Sequence, residues 1–239
     1  MSKPDKSSRV PQRDKLKDGI TLRELNWTGR QKEFISLALD KKTKVIILDG
    51  GPGTAKTLLS VYSSLRLLSE KKIGEIVYIR SLVQSTDGAT GYLSGDLNEK
   101  IQYYNYPLFD KLEELLPKSH ADKLFQEERI KTFPTSMLRG YNFNATAIIG
   151  DELQNFSFDS IYTLVTRAGE FSKVFLAGDS VGQNDLGKRS GFKRFIEIFN
   201  NEESREQGIF YFPFTDDDIM RSQLVKFIVQ QVNKFNCTR

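Results

Sequence analysis

Lys56 and Thr57 close a glycine-rich octet, Gly50-Gly51-Pro52-Gly53-Thr54-Ala55-Lys56-Thr57, whose residue types suit the phosphates of a nucleotide. Glycines let a backbone approach phosphate oxygens closely and aim successive N–H groups inward. A helix beginning at the same point adds partial positive charge. There Lys56 would reach the β- and γ-phosphates of ATP, and the Thr57 hydroxyl would sit on Mg²⁺. Asp151 and Glu152 form the second constellation. Mg²⁺ takes oxygen ligands and keeps several waters, so Asp151 fits a metal ligand acting through one of them. Glu152 fits a base that polarises the attacking water, which favours hydrolysis over transfer to a small molecule. A glycine-rich turn before an ordinary helix, and an acidic turn after a strand, are the plainer readings of each motif taken alone. One position departs from the usual pattern: Ala55 stands where Gly precedes the Lys. If the loop needs a positive φ there, Ala costs about 1 kcal/mol relative to Gly.

The elements around these residues are legible as an alternation. A short apolar run, Val45–Leu48, empties into the octet, and Leu58, Val61, Tyr62, Leu65 and Leu68 follow at helical steps. Further strands are expected at Glu75–Ile79, Arg129–Phe133, Ala145–Ile149, Lys173–Ala177 and Ile209–Phe212. Helices are expected over Trp27–Leu39, Leu108–Leu116, Phe158–Arg167 and Phe192–Phe199, with a last one from Thr215. Such alternation predicts an α/β fold, a parallel sheet with helices on both faces. Ligands then bind beyond the carboxyl ends of the strands. The octet, Asp151-Glu152 and Asp179 all fall at strand ends. Gln31, on the first helix, has an amide that could pair with adenine; a solvated helix position is the alternative.

Composition narrows the function. A chain of 239 residues with 38% apolar content can bury one sizeable core. No uncharged apolar run approaches the roughly eighteen residues of a membrane span. A single cysteine, Cys237, agrees with a reducing, cytoplasmic setting, and with the single His120 it cannot build a zinc site of the common type. The net charge is +4, but residues 1–20 hold six basic residues against three acidic ones, which leaves the remainder close to neutral. Residues 1–22 are therefore expected to be a disordered basic tail, either a sequence-independent phosphate contact or a solubilising arm. Residues 23–239 are expected to form one domain.

Leu176-Ala177-Gly178-Asp179 with Gln183 resembles the Gly-Asp-x-x-Gln element of superfamily 1 helicases, whose polar groups feel the γ-phosphate. More of the chain resembles the PhoH-like family of P-loop ATPases, in its short, phage-type form. The resemblance rests on both nucleotide motifs and on Arg80-Ser81, Gly91-Tyr92-Leu93-Ser94-Gly95-Asp96, Glu99-Lys100 and Tyr106-Pro107-Leu108-Phe109-Asp110. It continues through Met137-Leu138-Arg139-Gly140, Asp151 to Asn155, Thr166-Arg167-Ala168-Gly169, Ser172-Lys173, Ser190-Gly191-Phe192 and Asp218-Ile219-Met220-Arg221. The departures are Ala55, Ser94, one extra residue before Gln183, and Gly150 in place of a bulkier apolar residue. The resemblance implies an ATPase on a RecA-like core that acts on RNA or another single-stranded nucleic acid. Some relatives carry an added RNA-binding or nuclease domain, for which this length is expected to leave no room.

Three further expectations concern partners. The polar Ser81–Asn98 stretch suits contact with a polymer. Tyr103-Tyr104-Asn105-Tyr106 suits either base stacking or, as the preferred reading, a turn whose rings pack on the sheet. An unwinding enzyme needs two RecA-like cores, so a homo-oligomer is expected, with a hexameric ring as one form. A non-unwinding, nucleotide-switched binding module is the alternative, and a small-molecule kinase a weaker one. No arginine lies in the octet, so the charge that stabilises the transition state must come from elsewhere. Arg221 is the first candidate, on a helix capped by Thr215 and Asp218 with Met220, Leu224, Phe227 and Ile228 facing inward. Arg167 is the second; at least one is expected to act in trans.

Overall fold

The computed structural model describes residues 19–81, 97–182 and 186–237. In chain order the elements are α1 (Gly29–Leu39), β1 (Val45–Asp49), α2 (Lys56–Ser69), β2 (Glu75–Arg80), α3 (Leu97–Leu115), α4 (Lys118–Gln126) and β3 (Ile130–Pro134). There follow β4 (Thr146–Asp151), α5 (Phe158–Val165), β5 (Lys173–Gly178), α6 (Phe192–Phe199), α7 (Glu202–Glu206), β6 (Ile209–Pro213) and α8 (Gln223–Cys237). The strands form one sheet in the order β3-β2-β4-β5-β1-β6, and every pairing in it is parallel.

The core follows from strand periodicity. Successive residues point to opposite faces, and here both faces are covered, so the central strands read as unbroken apolar runs. Ile46, Leu48, Ile76, Tyr78, Ala147, Ile149, Phe175 and Ala177 pack under α1, α2, α3 and α4. Ile47, Val77, Ile79, Ile148, Val174 and Leu176 pack under α5 and α6. At Gly150 the room that a larger residue would fill is taken by leucines. A Cβ there would lie 2.9 Å from Leu164 Cδ1 and 3.0 Å from Leu153 Cδ2.

Three expectations need correction. The Tyr103–Tyr106 run is not a turn: α3 runs through it and on past Pro107, Asn105 is buried, and Tyr106 is 68% exposed rather than packed on the sheet. Asn105 Nδ2 donates to Thr132 Oγ1 at 2.8 Å, which ties the helix to β3. The Thr215–Asp218 cap does form, with Thr215 N donating to Asp218 Oδ2 at 2.8 Å, but it closes a single 3-10 turn. α8 starts only at Gln223, and the face expected to point inward is open, with Met220, Leu224, Phe227 and Ile228 all at least 50% exposed. Helical periodicity identifies an apolar face but not what covers it. α4, absent from the elements expected above, buries only Ala121 and Leu124, too few apolar residues for a periodic signal. Residues 1–18, 82–96 and Gln183 lie outside the described residues, and with them most of the basic tail and of the proposed polymer-contacting loop.

Candidate active site

β1 ends at Asp49, and the octet wraps from there into the first turn of α2. Lys56 Nζ lies inside this wrap, donating to Gly50 O at 2.6 Å, Gly51 O at 2.9 Å and Thr54 Oγ1 at 3.3 Å. Thr54 Oγ1 in turn donates to Gly51 O at 2.8 Å. Burial lowers the Lys56 pKa, opposed by the nearby charges of Asp179, Asp151, Glu152 and Asp49. Ala55 has φ 63°, so the left-handed conformation for which Gly is the natural choice is present here. Gly53, at φ +83°, needs its missing side chain for a second reason, since a Cβ would lie 2.8 Å from Arg221 Cγ. Met220 N donates to Gly53 O at 2.9 Å, which holds the segment before α8 against the loop.

β4 brings the carboxylates to the same place. Thr57 Oγ1 donates to Asp151 Oδ1 at 3.0 Å, and Tyr78 Oη donates to Asp151 Oδ2 at 2.6 Å. Burial beside Asp151 raises the Tyr78 pKa well above the ordinary phenol value, so the phenol remains a donor. Thr57 and Asp151 thus present two hard oxygens on one side of the loop, a donor set that fits Mg²⁺, with its remaining ligands drawn from nucleotide and water. Among the described residues no group of three or more His, Cys, Asp or Glu side chains is placed to hold a metal by itself.

Glu152 sits at φ 58°, a backbone conformation that few residues other than glycine adopt and that often marks a working site. Burial raises its pKa and the charge of Asp151 adds to the rise, while Arg80, the Gln154 hydrogen bond and Lys56 oppose it. Gln154 Nε2 donates to Glu152 Oε2 at 2.5 Å, and Gln154 Oε1 accepts from Asp179 N at 3.1 Å. A single amide therefore spans the end of β4 and the end of β5. Asp179 Oδ1 accepts from Val181 N at 3.1 Å and Gly182 N at 2.7 Å, which closes the turn after β5.

Lys56, Thr57, Asp151, Glu152, Gln154 and Asp179 line one cleft of about 580 Å³, together with Pro52, Tyr106, Asp110 and Arg221, a size suited to a small-molecule ligand. Gln31 is not among its lining residues. Its Oε1 accepts from Thr28 N at 3.0 Å while Thr28 Oγ1 accepts from Gln31 N at 3.2 Å, so Gln31 is buried as half of the α1 capping box. Arg221 lines the cleft of its own chain. Arg167 lies at the far end of the sheet, where its carbonyl accepts from Phe143 N ahead of β4, and its buried Nε has no hydrogen-bond partner among the described residues. Reading the sequence missed Tyr78 and Asp49, and took Gln154 only as part of a motif, without a role. In a strand pattern a Tyr reads as core, and the partners of Tyr78 and Asp49 lie 73 and 131 residues away.

Comparison with known proteins agrees with this geometry. The family described as PhoH-like protein matches residues 25–233. The PhoH-like protein of Bacillus subtilis (strain 168) is 31% identical over 209 residues, covering 87% of this chain and 64% of that protein. The PhoH-like protein of Mycobacterium tuberculosis (strain H37Rv) is 32% identical over 211 residues, covering 87% and 57%. Protein PhoH of Escherichia coli (strain K12) is 31% identical over 191 residues, covering 78% and 52%. The chain thus spans between 52% and 64% of the length of these relatives. Among solved structures, the large terminase of a thermophilic bacteriophage in complex with ADP superposes with a TM-score of 0.56 at 12% identity, over 86% of this chain and 50% of that one. That likeness bears on the fold alone, an α/β, RecA-like parallel sheet.

Proposed function

The chain belongs to the PhoH-like protein family, and from that premise we propose that it binds and hydrolyses ATP and couples the nucleotide state to RNA or another single-stranded nucleic acid. The observation that carries the proposal is the Thr57–Asp151 hydrogen bond of 3.0 Å, with Glu152 next along the chain and Lys56 within the same cleft. Lys56 and the loop N–H groups hold the β- and γ-phosphates. Thr57 and Asp151 would hold Mg²⁺, which when bound would draw electron density from the phosphoryl oxygens. Tyr78 fixes Asp151 so that its other oxygen faces Thr57. Glu152 accepts the proton of the attacking water, and Gln154 keeps it oriented. Arg221, lying over Gly53, offers its positive charge in cis.

Arg167, at the opposite end of the sheet, can reach only the cleft of a neighbouring copy, so any role in trans falls to it. A homo-oligomer, with a hexameric ring as one form, would give Arg167 that use.

Phosphate release from MgATP tests the reading. Lys56→Ala is expected to abolish both binding and release. Glu152→Gln is expected to lower turnover by about 10²–10⁴, the usual contribution of a general base, and to leave ATP affinity near that of the wild type. Unchanged turnover in folded Lys56→Ala protein would remove the cleft from the mechanism. Stimulation of release by single-stranded RNA supports the nucleic-acid coupling and excludes a small-molecule kinase. Strand displacement then separates an unwinding enzyme from a switch that only changes its grip.

A further inference from the structure

Asp49 occupies the last position of β1, directly before the loop that takes the phosphates, and its side chain is 7% exposed. Three donors converge on it. Ser180 N donates to Oδ1 at 2.8 Å, Ser180 Oγ to Oδ2 at 2.6 Å, and Tyr211 Oη to Oδ2 at 2.9 Å. A buried carboxylate is costly unless it is hydrogen-bonded, and three donors on an acceptor-only group meet that need. The partners come from different strands. Asp49 pairs in register with Gly178 of β5 on one side and with Pro213 of β6 on the other. Ser180 is the residue after Asp179, whose own N–H is held by Gln154, which in turn holds Glu152. Two hydrogen-bonded segments, Tyr211–Asp49–Ser180 and Asp179–Gln154–Glu152, therefore meet at the peptide bond between Asp179 and Ser180 and link the edge strand to the base.

We infer that Asp49, Ser180 and Tyr211 are positioning residues, a strut centred on a buried carboxylate that fixes the turn carrying Asp179 against the residue that leads into the phosphate loop, so that Asp179 and Glu152 register the presence of a γ-phosphate together. None of the three lines the cleft, so they act through Asp179 and Gln154 rather than on the nucleotide. Burial beside Asp49 raises the Tyr211 pKa well above the ordinary phenol value, so Tyr211 stays a neutral donor throughout the working pH range. The strut adds a polar side-chain link at the carboxyl ends of β1, β5 and β6, beyond their main-chain pairing and apolar packing. If the turn after β5 shifts when a γ-phosphate arrives or leaves, the shift is felt at Gly50 and at Glu152.

The inference rests on the nucleotide reading above, and the experiment separates the two. Fluorescent ADP and a non-hydrolysable ATP analogue are titrated into the full chain, and turnover is followed alongside, for wild type, Tyr211→Phe, Ser180→Ala and Ser180→Thr. Removing either hydroxyl is expected to lower the preference for the triphosphate over ADP at least fivefold and to cut kcat about tenfold, with ADP affinity unchanged. Ser180→Thr, which keeps the hydroxyl, should restore both. In a Glu152→Gln background Tyr211→Phe should lower turnover no further, because the line ends at that side chain. A purely structural role would lower thermal stability and leave the triphosphate preference intact. Wild-type preference and kcat in folded Tyr211→Phe and Ser180→Ala proteins would overturn the inference alone. Wild-type protein that binds neither nucleotide would overturn the functional reading and the strut with it.

Discussion

Ala55 shows how much a single side chain can cost without disturbing the fold. At φ 63° its Cβ is crowded, a strain that Gly would not feel. Ala55→Gly is therefore expected to stabilise the chain by about 1 kcal/mol, less the extra backbone freedom Gly gives the unfolded state. That gain corresponds to a rise of roughly 2–4 °C in Tm by differential scanning calorimetry. A fall in Tm would mean that entropy in the unfolded chain outweighs the strain. The octet, Asp151-Glu152 and Asp179 could be found from sequence because each motif is local and ends an apolar run. Tyr78 and Asp49 could not, because what makes them notable is their partners across the sheet. Gln31 shows a different limit. Its alternative, a solvated helix position, is not what the structure has, since Gln31 is buried and its Oε1 caps α1.

At the scale of elements, Lys173 at the start of β5 ties the sheet to the end of α1, donating to Ala38 O at 2.7 Å and to Asp40 O. Burial lowers its pKa from 10.5 to about 8, with the Asp40 charge opposing that shift. Below about pH 8 the lysine is charged in both the folded and the unfolded chain. Between about pH 8 and pH 10.5 the unfolded chain binds more protons, so this residue makes the fold more stable as pH rises through that window. Urea unfolding at pH 7.5 and 9.5 should show that gain in the wild type and its absence in Lys173→Met, the comparison that cancels other titrating groups. α8 provides a second test. Its residues Leu224 and Phe227 are exposed, so changing both to Gln should alter unfolding free energy by no more than about 0.5 kcal/mol each. Leu112→Ala in the buried face of α3 should cost about 2–5 kcal/mol. A large loss from the α8 changes in dilute protein would mean that its face is covered in solution. Strands were legible because each is a dense apolar run. α4 was not, and the covering of α8 was not, because amphipathicity describes one surface of a contact.

At the scale of the whole molecule, the separation of Arg167 from its own cleft gives a test of assembly. Mixing Lys56→Ala protein with Arg167→Ala protein should restore part of the hydrolysis that each lacks, since one kind of mixed interface pairs an intact loop with an intact arginine. A protein that stays monomeric with ATP and RNA and still hydrolyses at full rate would sink the trans arrangement. The order of the strands has a consequence of another kind, for the birth of the chain. β1 emerges from the ribosome early, yet both of its neighbours are late: Val45 lies beside Val174 of β5 on one side and Ile209 of β6 on the other. Until β6 has been synthesised, β1 has an open edge and Asp49 lacks one of its donors. At about 5–20 residues per second, that leaves an interval of roughly ten to thirty seconds in which the loop is made but not seated. The loop is thus made well before the two strands that flank β1, so in a growing chain its final seating waits for segments more than a hundred residues further on.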